Sequence, residues 1–101
     1  MANLVTASRV TVIVDGKLEE QLVKRFCKLG AKGYTIVECR GRGEHEIVED
    51  VLSGATRVRI ETIVQPSVAT EIMKYLHDPQ FINDALTVCV ETVQVDPGDR
   101  F

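Results

Sequence analysis

The spacing of apolar residues changes between two periods along this chain, and the order of those periods constrains its fold more than any other feature. Alternation at every second residue, in runs rich in Val, Ile and Thr, is typical of strands, whereas apolar positions three and four residues apart are typical of helices. The strand pattern covers residues 9–14, 34–40, 56–64 and 85–95. The helical pattern covers residues 17–29 and 66–76. The chain is therefore predicted to fold in the order β-α-β-β-α-β.

The residues at the ends of the two predicted helices agree with this order. Gly30 follows the last apolar residue of the first helix, where a left-handed cap residue is expected. Pro66 opens the second helix, and Asp78 and Pro79 end it. An α+β chain with this element order is predicted to form a ferredoxin-like domain, in which right-handed crossovers place both helices on one face of a four-stranded antiparallel sheet.

The sheet face that the helices leave uncovered is predicted to be apolar. The third strand alternates cleanly and places Ile63 on this face. The last strand is apolar at both parities, although a strand covered on one face needs only one. It contributes to the uncovered face either Leu86, Val88 and Val90 or Thr87, Cys89, Val93 and Val95. Because a large exposed apolar face is usually an interface, self-association is the simplest explanation.

Charge and composition exclude several classes of function. The formal net charge is −3, whereas duplex-binding proteins usually present a basic face, and we therefore expect no nucleic-acid partner. No run of about 18 apolar residues occurs, and we expect no membrane insertion. The three cysteines lie far apart in apolar segments, at Cys27, Cys39 and Cys89. The N-terminus has no signal-peptide pattern. Three buried, reduced thiols in a cytoplasmic protein are therefore expected.

The sequence contains no recognisable catalytic pattern. His45 and His77 are the only histidines, and neither has a Ser or Cys nucleophile at a recognisable spacing. No P-loop or dinucleotide-binding fingerprint occurs. We therefore expect a protein that is not an enzyme and has no catalytic residue, cofactor or metal. A loop metal site formed by His45, Glu44 and Glu46 is an alternative, but one imidazole with flexible carboxylates is a poor transition-metal site.

The stretch 33–43 carries the strongest functional signal. A predicted strand ends there in a Gly-x-Gly formed by Gly41 and Gly43. Glycines let backbone N–H groups approach an anion, which makes this either a phosphate cradle or a simple strand-exit turn. Arg40 and Arg42 add positive charge beside it.

This stretch resembles the PII signal-transduction superfamily, whose members carry Gly-x-Thr-x-x-x-x-x-Gly-x-Gly on the second strand, before a long T-loop. The motif is matched by Gly33, Thr35, Gly41 and Gly43. The third strand, RVRIETIV, is similar to the basic-x-basic-Ile-Glu pattern of that family, and GDR at 98–100 is similar to its C-terminal Gly-Glu-Arg. The resemblance implies a single PII-like domain over 1–101, with a T-loop at about 41–54 and a C-terminal tail at 96–101.

The resemblance also implies a function, that of a non-enzymatic signalling protein. It implies a homotrimer that binds an adenine nucleotide in clefts between subunits. Thr35 would contact the adenine, and the backbone around Ile63 and Val64 would face it. Gly41 and Gly43 would approach the phosphates at the base of the T-loop, and Arg100 would reach them. The implied nucleotide-binding residues are Thr35, Gly41, Arg42, Gly43, Ile63, Val64 and Arg100.

Departures from the classical motifs point to one branch of the superfamily. Residues 77–84 contain no Lys, where classical members carry a Gly-rich loop with Lys that grips a triphosphate. Glu44 and His45 replace an Arg-Gln pair, and the T-loop contains no Tyr. These departures resemble the PII-like proteins linked to inorganic carbon, of the carboxysome-associated and bicarbonate-transporter-linked types, which implies ADP or AMP as ligands and, in the carboxysome type, bicarbonate. A classical nitrogen-regulatory PII and a metal-responsive, CutA-like trimer are the alternatives.

A bicarbonate site is predicted beside the nucleotide, because guanidinium groups grip planar oxyanions bidentately. Its candidate residues are Arg40, Gly41, Arg42, Arg57 and Arg59. The alternative is that the two strand arginines only pair with acidic residues on the same sheet face, namely Glu38, Glu61 or Glu91. Ligands that order the T-loop would regulate inorganic-carbon uptake or carboxysome function through a protein target, a transporter or a carboxysome component.

Overall fold

The fold follows the predicted element order. A computed structural model, which describes residues 3–41 and 56–96, contains four strands and two helices in the order β-α-β-β-α-β. The strands are β1 (Val5–Asp15), β2 (Thr35–Cys39), β3 (Arg57–Val64) and β4 (Thr87–Val95). The helices are α1 (Glu19–Leu29) and α2 (Pro66–Leu76), and short 3-10 turns at Gly16–Leu18 and Pro79–Phe81 precede α1 and follow α2. The ferredoxin-like prediction is confirmed.

The four strands form one antiparallel sheet in the order β2-β3-β1-β4. Strand β1 lies in the interior and pairs with β3 from Ser8 to Asp15 and with β4 from Val5 to Ile13. The predicted first strand, 9–14, was therefore too short, because residues 5–8 become a strand by pairing with β4 rather than through their own pattern. The predicted last strand began too early, since Leu86 packs against the core before the pairing starts.

The hydrophobic core lies between the sheet and the two helices. Its sheet side is formed by alternate residues of β1 and β3, and its helix side by one stripe of each helix together with Phe81. The fully buried members with the largest side chains are Phe26, Leu22, Ile60, Ile72, Val10, Val12, Val14, Val58 and Val64. None of the helices in the described ranges is long and apolar enough to cross a membrane.

The prediction of three buried thiols is wrong. Cys27 and Cys89 are exposed and Cys39 is half-buried, although all three are free. Cys27 follows the buried Phe26 and lies off the inward stripe of α1. Cys89 and Cys39 lie on strands whose positions there face away from the helices.

The C-terminus of α1 packs closely on the start of α2, and Gly30 makes this contact possible. Gly30 has a φ of 124°, and the N–H of Ala31 donates to the carbonyl of Phe26 at 2.9 Å, which closes the helix. A Cβ at Gly30 would lie 2.9 Å from Cγ2 of Val68. The glycine cap predicted from the sequence is therefore confirmed, and it serves helix packing as well as helix termination.

Replacing Gly30 with Ala should destabilise the protein. Both the positive φ and the contact with Val68 oppose a side chain, and we expect the free energy of unfolding to fall by about 1–3 kcal/mol. Thermal or denaturant unfolding at matched protein concentration measures it. The matched control is Gly33→Ala, because a Cβ there meets no atom within 4 Å and the φ of Gly33 is not positive. Equal stability of the two variants would contradict this account of the helix contact.

Candidate nucleotide-binding site

The uncovered face of the sheet, called the helix-free face below, is defined by the strand register. Residues directly opposite each other in antiparallel pairs share a face, and the face opposite the core is thereby assigned. Its members are Thr35, Val37 and Cys39 of β2, Arg57, Arg59, Glu61 and Ile63 of β3, Ala7, Arg9, Thr11 and Ile13 of β1, and Thr87, Cys89, Glu91, Val93 and Val95 of β4.

This assignment decides between the two parities that the sequence left open for the last strand. Thr87, Cys89, Val93 and Val95 lie on the helix-free face. Leu86 and Val88 instead pack against the core. The face combines apolar and charged side chains, and is therefore less apolar than the pattern suggested.

An ion pair joins β1 and β4 on the helix-free face. The guanidinium of Arg9 donates from Nε to Oε1 of Glu91 at 3.2 Å and from its second terminal nitrogen to Oε2 at 3.3 Å. The hydrogen bond and the charge of Glu91 raise the pKa of Arg9 above its usual value. Since the side chains are 39% and 53% exposed, solvent screens the pair in the single chain. The geometry nevertheless fixes both charges in a bidentate arrangement.

A second ion pair involves one of the predicted anion-binding residues. Nε of Arg59 lies 3.7 Å from Oε1 of Glu61, two positions along the same strand. The alternative in which a strand arginine pairs with an acid on its own face is thus realised for Arg59. Glu91 pairs with Arg9 instead, and Glu38 lies opposite Val58 and therefore on the helix side. An anion that binds Arg59 must compete with Glu61.

The residues predicted to face the adenine lie at the start of β2 and at the end of β3. Thr35 lies exposed at the first position of this edge strand, opposite Glu61, and Ile63 is its diagonal neighbour on the same face. Ile63 is 37% exposed, whereas the side chain of Val64 is fully buried in the core. Val64 is buried as a whole residue, backbone included, and offers no surface to a ligand in the single chain. The ladder between β2 and β3 ends at Glu61, so that Ile63 has no strand partner on the β2 side among the described residues.

The predicted phosphate-binding residues lie at the other end of β2. Strand β2 ends at Cys39, opposite Arg57, and Arg40 and Gly41 follow it. Thr35 and Gly41 are six positions apart, a distance of about 20 Å for an extended chain at roughly 3.3 Å per residue. One nucleotide can reach both only if it lies extended along the strand. Gly41 is exposed, and a Cβ there would meet no atom within 4 Å.

The sequence did not predict one hydrogen bond that holds the start of β2. Oγ1 of Thr62 donates to the carbonyl oxygen of Gly33 at 2.6 Å. Thr62 is 2% exposed and lies on the core side of β3, where its strand neighbours are Val and Ile. A Thr among β-branched apolar residues at a buried parity was the only available signal, because the partner lies in a loop far away in the sequence.

Part of the segment 77–84, which contains no Lys, belongs to the core. Asp78 accepts a hydrogen bond from the N–H of Gln80 at 3.0 Å and so caps the turn at Pro79–Phe81. Phe81 is 4% exposed and contacts the ring of Tyr75 edge to face, with ring centroids 5.3 Å apart. This segment is a packed turn that contains no Lys or Arg.

Several predicted residues lie outside the described ranges. Arg42, Gly43 and Arg100 of the nucleotide site are among them, as are the loop metal candidates Glu44, His45 and Glu46. Within 3–41 and 56–96, no group of three potential metal ligands occurs. The described residues thus include Thr35, Ile63 and Val64, which are predicted to face the adenine, and Gly41, which is predicted to approach the phosphates.

The fold and the motif identify the family. The family model for nitrogen regulatory protein P-II matches residues 7–96. The chain therefore belongs to the P-II family, whose members are non-enzymatic regulators. No curated protein sequence matches the chain.

Several solved structures of PII-like proteins are similar to this chain. A PII-like signalling protein from Thermus thermophilus is 36% identical, with a TM-score of 0.78 over 95% of both chains. CPII from Thiomonas intermedia, bound to ADP and bicarbonate, is 25% identical, with a TM-score of 0.81 over 95% of this chain and 94% of that one. The same protein bound to ADP, AMP and acetate is 26% identical, with a TM-score of 0.79 over 92% of this chain and 91% of that one.

Proposed function

We propose that this chain is a cytoplasmic PII-like regulator that binds ADP or AMP in clefts between the subunits of a homotrimer, with bicarbonate as a second ligand. The observation that carries the proposal is the exposed row of Thr35 and Ile63 beside the edge of β3 that β2 leaves uncovered. This row lies at the border of the helix-free face, where a second subunit would complete a cleft. The ligands of CPII support the choice of nucleotide and anion.

The helix-free face is the proposed subunit interface. It carries Ile63, Val93 and Val95 around the Arg9–Glu91 pair, a mixture typical of interfaces that exclude water from an oriented ion pair. Burial of this face would move that pair from a screened to a less polar environment, where a bidentate geometry is needed to offset desolvation. The existing geometry of the pair meets that need.

The two exposed cysteines test the interface, because one lies on the helix-free face and one does not. Cys89 should react with a thiol reagent about tenfold more slowly than Cys27 in the native protein, since a thiol shielded by an interface reacts through the dissociated fraction. In denaturant the two rates should become similar. Mass spectrometry of peptides after timed labelling measures both rates in one sample.

The oligomeric state is measured on the same sample by light scattering. A trimer with equal native rates at Cys27 and Cys89 would place the interface on another face. A stable monomer at micromolar concentration would remove the intersubunit cleft, and the proposal with it.

The choice of ADP or AMP over ATP rests on residues 77–84. This segment contains no Lys and is a packed turn held by Phe81 and Asp78. A third phosphate would therefore gain little from it. The exposed Gly41 remains available to approach the first phosphates with its backbone.

Calorimetric titration should give ADP and AMP affinities at least as high as that of ATP. Gly41→Val should weaken ADP binding by about tenfold, or 1.4 kcal/mol, because the side chain blocks backbone approach to the phosphates. Its thermal stability should stay near that of the wild type, since a Cβ at Gly41 meets no atom within 4 Å. An ATP affinity ten times higher than that for ADP would contradict the assignment.

Bicarbonate is proposed to bind beside Arg40, Gly41 and the third-strand arginines. Arg59 lies on the helix-free face opposite Val37, two positions before the end of β2, and is held at 3.7 Å from Glu61, an arrangement that a bidentate oxyanion could replace. Binding of both ligands would order the T-loop and change its fit to a protein target in carbon uptake, a population shift without catalysis.

Bicarbonate should tighten ADP binding, and by reciprocity ADP should tighten bicarbonate binding by the same factor. Titration of ADP with and without bicarbonate, at fixed pH and ionic strength, measures the factor. Arg59→Gln should reduce it towards one. Arg25→Gln should leave it unchanged, because Arg25 lies over the ring of Tyr75 on the helix layer. An unchanged dissociation constant in the wild type would leave a nucleotide sensor that does not sense carbon.

A further inference from the structure

Thr62 is a buried polar residue in an apolar row. It alternates along β3 with exposed positions and shares the core side with Ile60 and Val64, both fully buried. A buried hydroxyl without a partner costs free energy, and its neighbour on β1, Val10, has no polar side chain. The hydroxyl is instead satisfied by the carbonyl of Gly33 at 2.6 Å. The hydrogen bond to Gly33 therefore explains why a polar side chain occupies this core position.

The hydrogen bond takes over where the backbone ladder stops. The last pair between β2 and β3 is Thr35 with Glu61, and residues 31–34 belong to no helix or strand. Glycine has more backbone freedom than any other residue type, and a Cβ at Gly33 would meet no atom within 4 Å. Without the bond from Thr62, the strand pairing would not restrain the carbonyl two positions before Thr35.

We propose that Thr62 is a positioning residue of the nucleotide site, which sets the place of Thr35 relative to Ile63 through its hydrogen bond to Gly33. This inference rests on the proposed function, because it assigns Thr35 to the adenine. Thr62 faces the core and does not touch the ligand. It determines recognition of the base and leaves the phosphate end at Gly41 unaffected.

Because Thr62 is assigned to base recognition and Gly41 to phosphate binding, the inference predicts different effects on the two ends of the nucleotide. Loss of the hydrogen bond should weaken ADP and AMP by the same factor, because the two ligands share the adenine and differ in phosphates. It should also reduce the preference for ADP over GDP, since a displaced Thr35 distinguishes the bases less well. A change at Gly41, by contrast, leaves the preference between bases unchanged.

The experiment compares three variants of the full chain. Thr62→Val keeps the shape of the side chain and removes the hydroxyl, and Thr62→Ser keeps the hydroxyl and removes the methyl group. Ile60→Val is the matched control, because it trims the same buried row without removing a hydrogen bond. Calorimetric titration with ADP, AMP and GDP measures binding, and hydrogen exchange at the amides of Tyr34 and Thr35 measures order.

We expect Thr62→Val to weaken ADP and AMP equally, by about five- to tenfold, the size of one lost hydrogen bond. Exchange at Tyr34 and Thr35 should become faster than in Ile60→Val, and Thr62→Ser should restore both properties. If the wild type binds ADP and Thr62→Val binds it as tightly as Ile60→Val does, the inference is wrong and the proposed function stands. If the wild type binds no adenine nucleotide, both are wrong.

Discussion

The two backbone ladders of β1 are the constraint on which the rest of this structure depends. They join the first strand to β3 on one side and to β4 on the other, across most of the length of the chain. Because side chains alternate, a slip of one residue would move Val10, Val12 and Val14 from the core to the helix-free face. The helices would lose their apolar support, and Arg9 would be carried into the core. The register of one strand thus sets both the core and the opposite face.

As a result, the two faces of the sheet carry different side chains and make different contacts. On the helix side, close packing at Gly30 and around Phe81 fixes the layer above the sheet. On the helix-free face, apolar residues surround fixed charges, and the edge strand β2 ends at Cys39, close to the start of the predicted T-loop. In the proposed trimer the ligands lie at the border between these regions. Small changes at the edge of the sheet can then act on the segment that follows β2 without disturbing the core.

Within this P-II family chain, the residues that the fold requires differ from those on which the proposed choice of ligand depends. The family model matches residues 7–96, a range that includes the Gly-x-Thr stretch at 33–35. The turn at Pro79–Phe81 contains no Lys, and its Phe81 is buried in the core. Where the resemblance to classical members implies a Lys-containing phosphate loop, this chain has packing in its place. The proposal of ADP or AMP as ligand depends on that replacement.

The sequence by itself determined the order of the elements, the clean alternation of β3 and the glycine cap at Gly30, because each depends on residues close together along the chain. The Gly33 to Gly41 motif was equally local. Only the tertiary structure decided the length of β1, the inward parity of β4 and the exposure of Cys89. It also decided which charges meet and where the hydroxyl of Thr62 bonds. These features depend on the register between strands distant in sequence, which no local pattern specifies.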